Sequence, residues 1–231
     1  RRHIRRHDPR MRRIRLALVL AASLPNCGAR AVPPDFVRLS EVAPDIKQDI
    51  RYAGIDNFTG RPVPGYEAPV CWLKTEAAQA LAKVAATAAT EKLRLIVWDC
   101  YRPQRAMNAF MVWSADEKDQ EMKSKYYPRS PKKELFMRGY IARKSIHSTG
   151  YAVDIGLINA DGTPVDFGSG FDLFDTRSVT SSSEVSAAAR TNRARLASLM
   201  YQKGFRNYPR EWWHYALPDM PEKRYDEPIE P

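Results

Sequence analysis

The sequence predicts a single α+β domain: a central, mostly antiparallel sheet flanked by helices. Three observations lead there. The chain has 231 residues and is 44% hydrophobic, a length that suits one domain and can bury a core without staples. Helical and strand patterns both occur, but they do not alternate regularly, as a doubly wound sheet would require. There are no repeats or low-complexity linkers, and no apolar run reaches the ~18 residues that span a bilayer.

The elements follow in order. Residues 1–31 hold nine arginines and one acid, a net charge of +8. Met11 is the expected start. Arg12, Arg13 and Arg15 make a positive n-region, Leu16 to Leu24 a short apolar stretch, and Ala29-Arg30-Ala31 a small-x-small cleavage pattern. This leader reads as an export signal, with 32–231 as the mature domain in a periplasmic or secreted setting. A basic nucleic-acid arm and a lipid anchor at Cys27 are the alternatives. The whole chain is +10, so the mature part is only +2, which argues against a nucleic-acid partner. Two cysteines remain, Cys71 and Cys100. Their even count and the expected export predict a disulfide, worth ~3 kcal/mol by chain entropy; two separate buried thiols are the alternative.

Val32 to Gly65 is loop-rich. Thr75 to Leu93 reads as a helix, with Leu81, Val84 and Ala88 on one face. Leu95 to Trp98 reads as a buried strand. Pro103 suits the first position of a helix running to about Ser114. Lys132 to Lys144 is expected to be helical. Ala152 to Leu157 reads as a strand, with Val153, Ile155 and Leu157 on one face and Ala152, Asp154 and Gly156 on the other. Asp161-Gly162 signals a turn that lets Pro164 to Phe167 pair back. Ser181-x-x-Glu184 reads as a capping box opening a long helix that stops at Gly204. Phe205 to Leu217 reads as a final pair of short strands.

Only two histidines lie beyond the leader, His147 and His214. The first stands in Ser145-Ile146-His147-Ser148-Thr149-Gly150-Tyr151-Ala152-Val153-Asp154, the second in Glu211-Trp212-Trp213-His214-Tyr215. A catalytic zinc needs three ligands from His, Asp or Glu and one open position for water. A turn at Gly150 can bring His147 back over the strand that presents Asp154, and His214 can complete the set. Glu211, three residues before His214, can act as the base if a turn or bulge places both on one side. Arg102, at the end of a buried strand, can hold charge on a tetrahedral intermediate or form a structural salt bridge with Asp99 or another acid. Two satisfied core histidines, or a Ser-His-Asp hydrolase using Ser145 or Ser148, are competing readings. The hydrolase lacks a Gly-x-Ser-x-Gly elbow. A Cys-His enzyme is weaker still if the cysteines are bridged.

The Ser-x-His-x-x-Gly-x-Ala-x-Asp run, together with Glu-x-Trp-His, resembles the zinc D-alanyl-D-alanine dipeptidases of the vancomycin-resistance type, peptidase family M15. The resemblance extends to Tyr52-Ala53-Gly54-Ile55-Asp56-Asn57-Phe58-Thr59-Gly60, to Asp99-Cys100-Tyr101-Arg102-Pro103-Gln104-Arg105-Ala106, to Phe171-Asp172 and to Ser181-Ser182-Ser183-Glu184. It covers about residues 35–228. It implies the D-Ala-D-Ala peptidase/hedgehog fold type and one Zn2+ per chain on His147, Asp154 and His214. It implies Glu211 as the base and Arg102 as the stabiliser of the intermediate. Tyr52 and Asp172 are implied as receivers of the substrate ammonium, with Ser145 near the substrate. The implied reaction is hydrolysis of the dipeptide to two D-alanines, in wall turnover if the chain is exported. A zinc D,D-carboxypeptidase acting on longer peptidoglycan peptides and a zinc-stabilised binding module are the rivals.

Overall fold

The computed structural model describes residues 33–231. The expected leader, with Met11 and Cys27, lies outside the described residues. In chain order the elements are β1 (Phe36–Arg38), α1 (Leu39–Val42), β2 (Lys47–Gln48), β3 (Trp72–Lys74), α2 (Thr75–Thr90), β4 (Leu93–Asp99), α3 (Gln104–Ala115), α4 (Lys123–Tyr126), β5 (Ala152–Asn159), α5 (Ala187–Tyr201), β6 (Arg206–Asn207) and β7 (His214–Ala216). Five strands form the main sheet in the order β2-β4-β5-β7-β6. The β2–β4 pair is parallel and the others antiparallel. β1 and β3 pair separately, also antiparallel. The chain is therefore α+β with a mostly antiparallel sheet, as its irregular order of patterns predicts.

α2 forms because its apolar positions recur on one stripe. Ala77, Ala78, Leu81, Val84 and Ala88 are all buried, and the helix packs on β4. β5 is the central strand and is buried from Ala152 to Ile158. Its small Gly156 admits Trp98 of β4, whose ring would stand 2.4 Å from any Cβ there. β4 and β5 pair regularly from Leu93↔Asn159 to Val97↔Ile155. The register then slips, and Asp99 stands opposite Asp154. That bulge re-aims the end of β4.

Several expectations need correction. Pro103 is the N-cap of α3, just outside the helix. The 132–144 segment makes only one 3-10 turn, Lys132–Glu134. Gly139 then takes φ +74°, and Tyr140 and Ile141 both turn back onto the Leu135 carbonyl, so no helix can continue. Ser181 and Glu184 do not cap α5. Its N-cap is Ser186, whose hydroxyl accepts from the Ala189 N–H, while Glu184 pairs with Arg129 and Thr176. The return after Asp161-Gly162 is short, with one bridge between Ile158 and Pro164. Among the described residues no helix is long and apolar enough to cross a membrane.

Candidate active site

His147 is delivered by one turn of 3-10 helix, Ile146–Thr149. Ser145 caps it, its Oγ accepting from the His147 N–H at 3.2 Å. Gly150 ends it at φ +82°. A Cβ there would stand 2.3 Å from the Phe36 ring, so both the turn and the close approach require glycine. The chain re-enters the sheet as β5, which presents Asp154. β7 opens with His214, the register partner of Asp154.

These three side chains converge. Each offers a ligand atom, and all three atoms lie within 4.8 Å of one another. His147 Nε2 is 3.2 Å and His214 Nδ1 is 3.0 Å from Asp154 Oδ1. The two ring nitrogens are 3.0 Å apart. His147 Nδ1 lies 2.6 Å from the Cys100 carbonyl oxygen. A carbonyl can only accept, so Nδ1 carries the hydrogen and Nε2 turns its lone pair into the cluster. Three electron-pair donors facing one another, two of them buried, fit a cation between them. Burial pushes His147 down, but the Asp154 charge outweighs it and the imidazole ends above its usual value. Burial alone would raise the Asp154 carboxyl, yet the two histidines hold it far below the usual range.

Around this trio, one cavity of about 270 Å³ is lined by Tyr52, Arg102, Ser145, His147, Asp154, Asp172, Glu211 and His214. The fold thus brings all eight candidate residues together. Glu211 reaches it through a turn. The Glu211 N–H donates to the Tyr208 carbonyl and the His214 N–H to the Glu211 carbonyl, while Asn207 Nδ2 donates to the Glu211 and His214 carbonyls. The Glu211 carboxylate comes to 3.9 Å from His214 Nδ1. Burial pushes its carboxyl up.

Arg102 donates to Asp99 through Nε at 2.8 Å and sits 3.6 Å from Asp154 Oδ2. The structural salt bridge is therefore real, and the guanidinium still faces the cavity. It lies over the Tyr52 ring at 5.1 Å. The Tyr52 hydroxyl donates to Asp172 at 2.6 Å. Burial pushes the Asp172 carboxyl well above its usual value, and the nearby Asp154 charge adds to this.

Of two further contributors, one was foreseen only as a salt-bridge partner of Arg102 and the other escaped the sequence. Asp99, fully buried, accepts from the Tyr66 hydroxyl at 2.7 Å and from Arg102, so it anchors the arginine. Its signal was its place in the Trp98–Arg102 run, but only the bulge sets it beside the site. Arg193 of α5 is buried and donates to the Phe167, Arg177 and Val179 carbonyls, which gathers the loop that carries Asp172. The serine-hydrolase reading finds no support: Ser145 Oγ serves a backbone N–H and Ser148 Oγ has no hydrogen-bond partner. The Cys71 and Cys100 sulfurs stand at disulfide distance from each other.

The family model described as D-ala-D-ala dipeptidase, peptidase M15, matches residues 33–230. The D-alanyl-D-alanine dipeptidase of Enterococcus faecium is 43% identical over 187 residues, covering 80% of this chain and 93% of its own. That of Enterococcus faecalis is 40% identical with the same coverage. That of Streptomyces coelicolor is 38% identical over 198 residues, 84% of this chain and 98% of its own. With a match over nearly every described residue and relatives of this identity along almost their full length, the chain belongs to the M15 family of D-Ala-D-Ala dipeptidases.

Proposed function

We propose that this chain is a zinc dipeptidase that hydrolyses free D-alanyl-D-alanine to two D-alanines. The observation that carries this reading is one small cavity with a buried two-histidine, one-aspartate trio, a carboxylate base beside it, and a second buried carboxylate set apart on a tyrosine. Two imidazoles and one carboxylate suit zinc, a borderline-soft ion that leaves a position open in catalytic sites. When bound, zinc supplies Lewis acidity to the scissile carbonyl and to a water.

The chain's own residues do the rest. His147, Asp154 and His214 are the ligands. Glu211, its carboxyl raised by burial, takes a proton from the water and returns it to the leaving amine. Arg102, held by Asp99, faces the charge that grows on the carbonyl oxygen. Asp172 and Tyr52 receive the substrate ammonium. Ser145 shapes the turn that presents His147 and lines the substrate space. Because a longer peptide has an uncharged amide where the dipeptide has an ammonium, it would leave Asp172 buried and unpaired, and is rejected.

The leader pattern of residues 12–31 and the joined Cys71–Cys100 pair support an exported enzyme that meets dipeptide released by wall turnover, with 32–231 as its working domain. The decisive assay compares free D-Ala-D-Ala with its N-acetyl derivative, with and without a chelator. Fast, chelator-sensitive cleavage of the free dipeptide is expected. Preference for the blocked substrate would favour a D,D-carboxypeptidase. The Glu211→Ala variant is expected to retain one zinc per chain by metal analysis while kcat falls by ~10²–10⁴-fold. Turnover near that of the unmodified enzyme would remove Glu211 from its role.

A further inference from the structure

The hydrogen bond on the far side of His147 leads to a covalent crosslink. His147 Nδ1–H donates to the Cys100 carbonyl at 2.6 Å, and Cys100 is bonded to Cys71. Both cysteines are buried. Cys100 lies between the end of β4 at Asp99 and the start of α3 at Gln104, where no sheet ladder fixes its carbonyl. The neighbouring peptides tie the same parts together. The Tyr101 N–H donates to the Trp72 carbonyl at 2.9 Å, and the Arg102 N–H to the His147 carbonyl at 3.3 Å. On the other side of the bridge, the Cys71 N–H donates to Gln48 Oε1 at 2.9 Å and its carbonyl accepts from the Leu39 N–H at 2.9 Å. Cys71 is thus moored to α1 and to the sheet-edge strand β2.

We propose that the Cys71–Cys100 bridge positions the metal ligand His147, and that metal affinity therefore depends on the redox state of the bridge. The carbonyl on the second ring nitrogen fixes the tautomer and aims Nε2 at the cluster, and partners of this kind are worth about 10–100-fold in metal affinity. The bridge pins that carbonyl to a moored residue. A dithiol that passes two electrons to the S–S bond leaves two protonated thiols and closes to its own disulfide. The Cys100 carbonyl then loses its covalent tie to Cys71 and keeps only the bond that its own peptide makes through the Tyr101 N–H to Trp72, so the aim of His147 loosens.

The inference rests on the metal-site reading, and the test separates the two. The full chain is compared in three forms: oxidised, Cys71→Ala/Cys100→Ala, and reduced with dithiothreitol that is then removed anaerobically. The alanine pair removes the crosslink and keeps the carbonyl. Zinc affinity is read by competition with a chromophoric chelator, ligand geometry by Co2+ absorption, and the fold by circular dichroism. Both unbridged forms should keep the fold, bind zinc about 10–100-fold more weakly and show an altered Co2+ spectrum, and reoxidation should restore the reduced form. A bridge that only stabilises the fold would lower the melting temperature and leave zinc affinity within twofold, which overturns the proposal. If the double variant fails to fold, the reduced protein decides; if that too unfolds, the bridge holds the fold and not the ligand, and the proposal falls. Failure of the oxidised chain to bind zinc would defeat the metal-site reading itself.

Discussion

Asp172 is a non-glycine residue at φ +57°, a conformation that costs on the order of 1–3 kcal/mol. It is also buried, with a carboxyl pushed well above its usual value. Both costs fall on one residue whose side chain lines the cavity. An ammonium would relieve the electrostatic part. The Asp172→Asn variant keeps size and the Tyr52 contact but cannot pair with that charge. Losing one partner of a buried pair costs ~3–5 kcal/mol, so kcat/KM for the free dipeptide should fall ~10²–10⁴-fold, while the N-acetyl dipeptide stays within a few-fold. Steady-state kinetics on the two substrates checks this, and equal losses on both would reassign Asp172 to a structural role. At this scale the sequence was informative because reactive residue types are scarce in it. Two histidines beyond the leader leave few ways to build a ligand set. Asp99 was legible only as a partner for Arg102, because its place beside the site depends on a strand bulge, and Arg193 was not legible, because it depends on carbonyls of a distant loop.

Elements were legible where one periodicity ruled. α2 has its small and apolar residues on one stripe, and β5 has apolar residues on one face and Asp154 and Gly156 on the other. Elements failed where local signals conflicted. Leu135 and Ile141 are both buried, yet they sit on either side of a left-handed Gly139. Ser181 and Glu184 have capping-box spacing, but Glu184 and Asp175 gather Arg129, and that tertiary ion cluster claims the glutamate. The helix start moves on to Ser186, whose Oγ takes the Ala189 N–H at 3.0 Å. The two serines therefore predict different outcomes. Ser186→Ala removes a cap and should cost about 1 kcal/mol. Ser181→Ala, away from the helix start, should stay within about 0.5 kcal/mol. Urea unfolding of both variants measures the difference, and a larger loss at Ser181 would restore the capping box.

Across the whole molecule, buried titratable groups oppose one another, and the metal decides which set dominates. Burial would raise Asp175, but hydrogen bonds from Arg129 and Arg177 outweigh it and hold the carboxyl far below its usual range. A depressed carboxyl stabilises the fold above its unfolded pKa near 4, and that stability is lost as pH falls through the folded value. In the site Asp154 shares that sign, while Asp172, Glu211 and His147 have the opposite one. Burial raises Asp172 and Glu211, and in the metal-free protein the Asp154 charge lifts His147 against burial. Each holds a proton in the folded chain that the unfolded chain would release. Stability from the two acids therefore declines as pH climbs above about 4, and that from the histidine above about 6.5. The metal-free protein should be most stable in mildly acidic solution, above the acid limb set by Asp175 and Asp154. Zinc needs a carboxylate and two neutral imidazoles, so its binding releases protons and strengthens as pH rises, stabilising the fold by RT ln(1 + [L]/Kd). For a domain of this size each kcal/mol moves Tm by ~2–4 °C. Chelator-treated protein should therefore have a lower Tm at about pH 7.5 than at about pH 5.5, and saturating zinc should close or invert that gap. Asp175→Asn should flatten the loss below about pH 4 and leave the upper limb unchanged. A metal-free Tm that rises from the lower pH to the higher would show that the cavity carboxyls and His147 are not held protonated by the fold, and would remove the case for a site that waits for a cation.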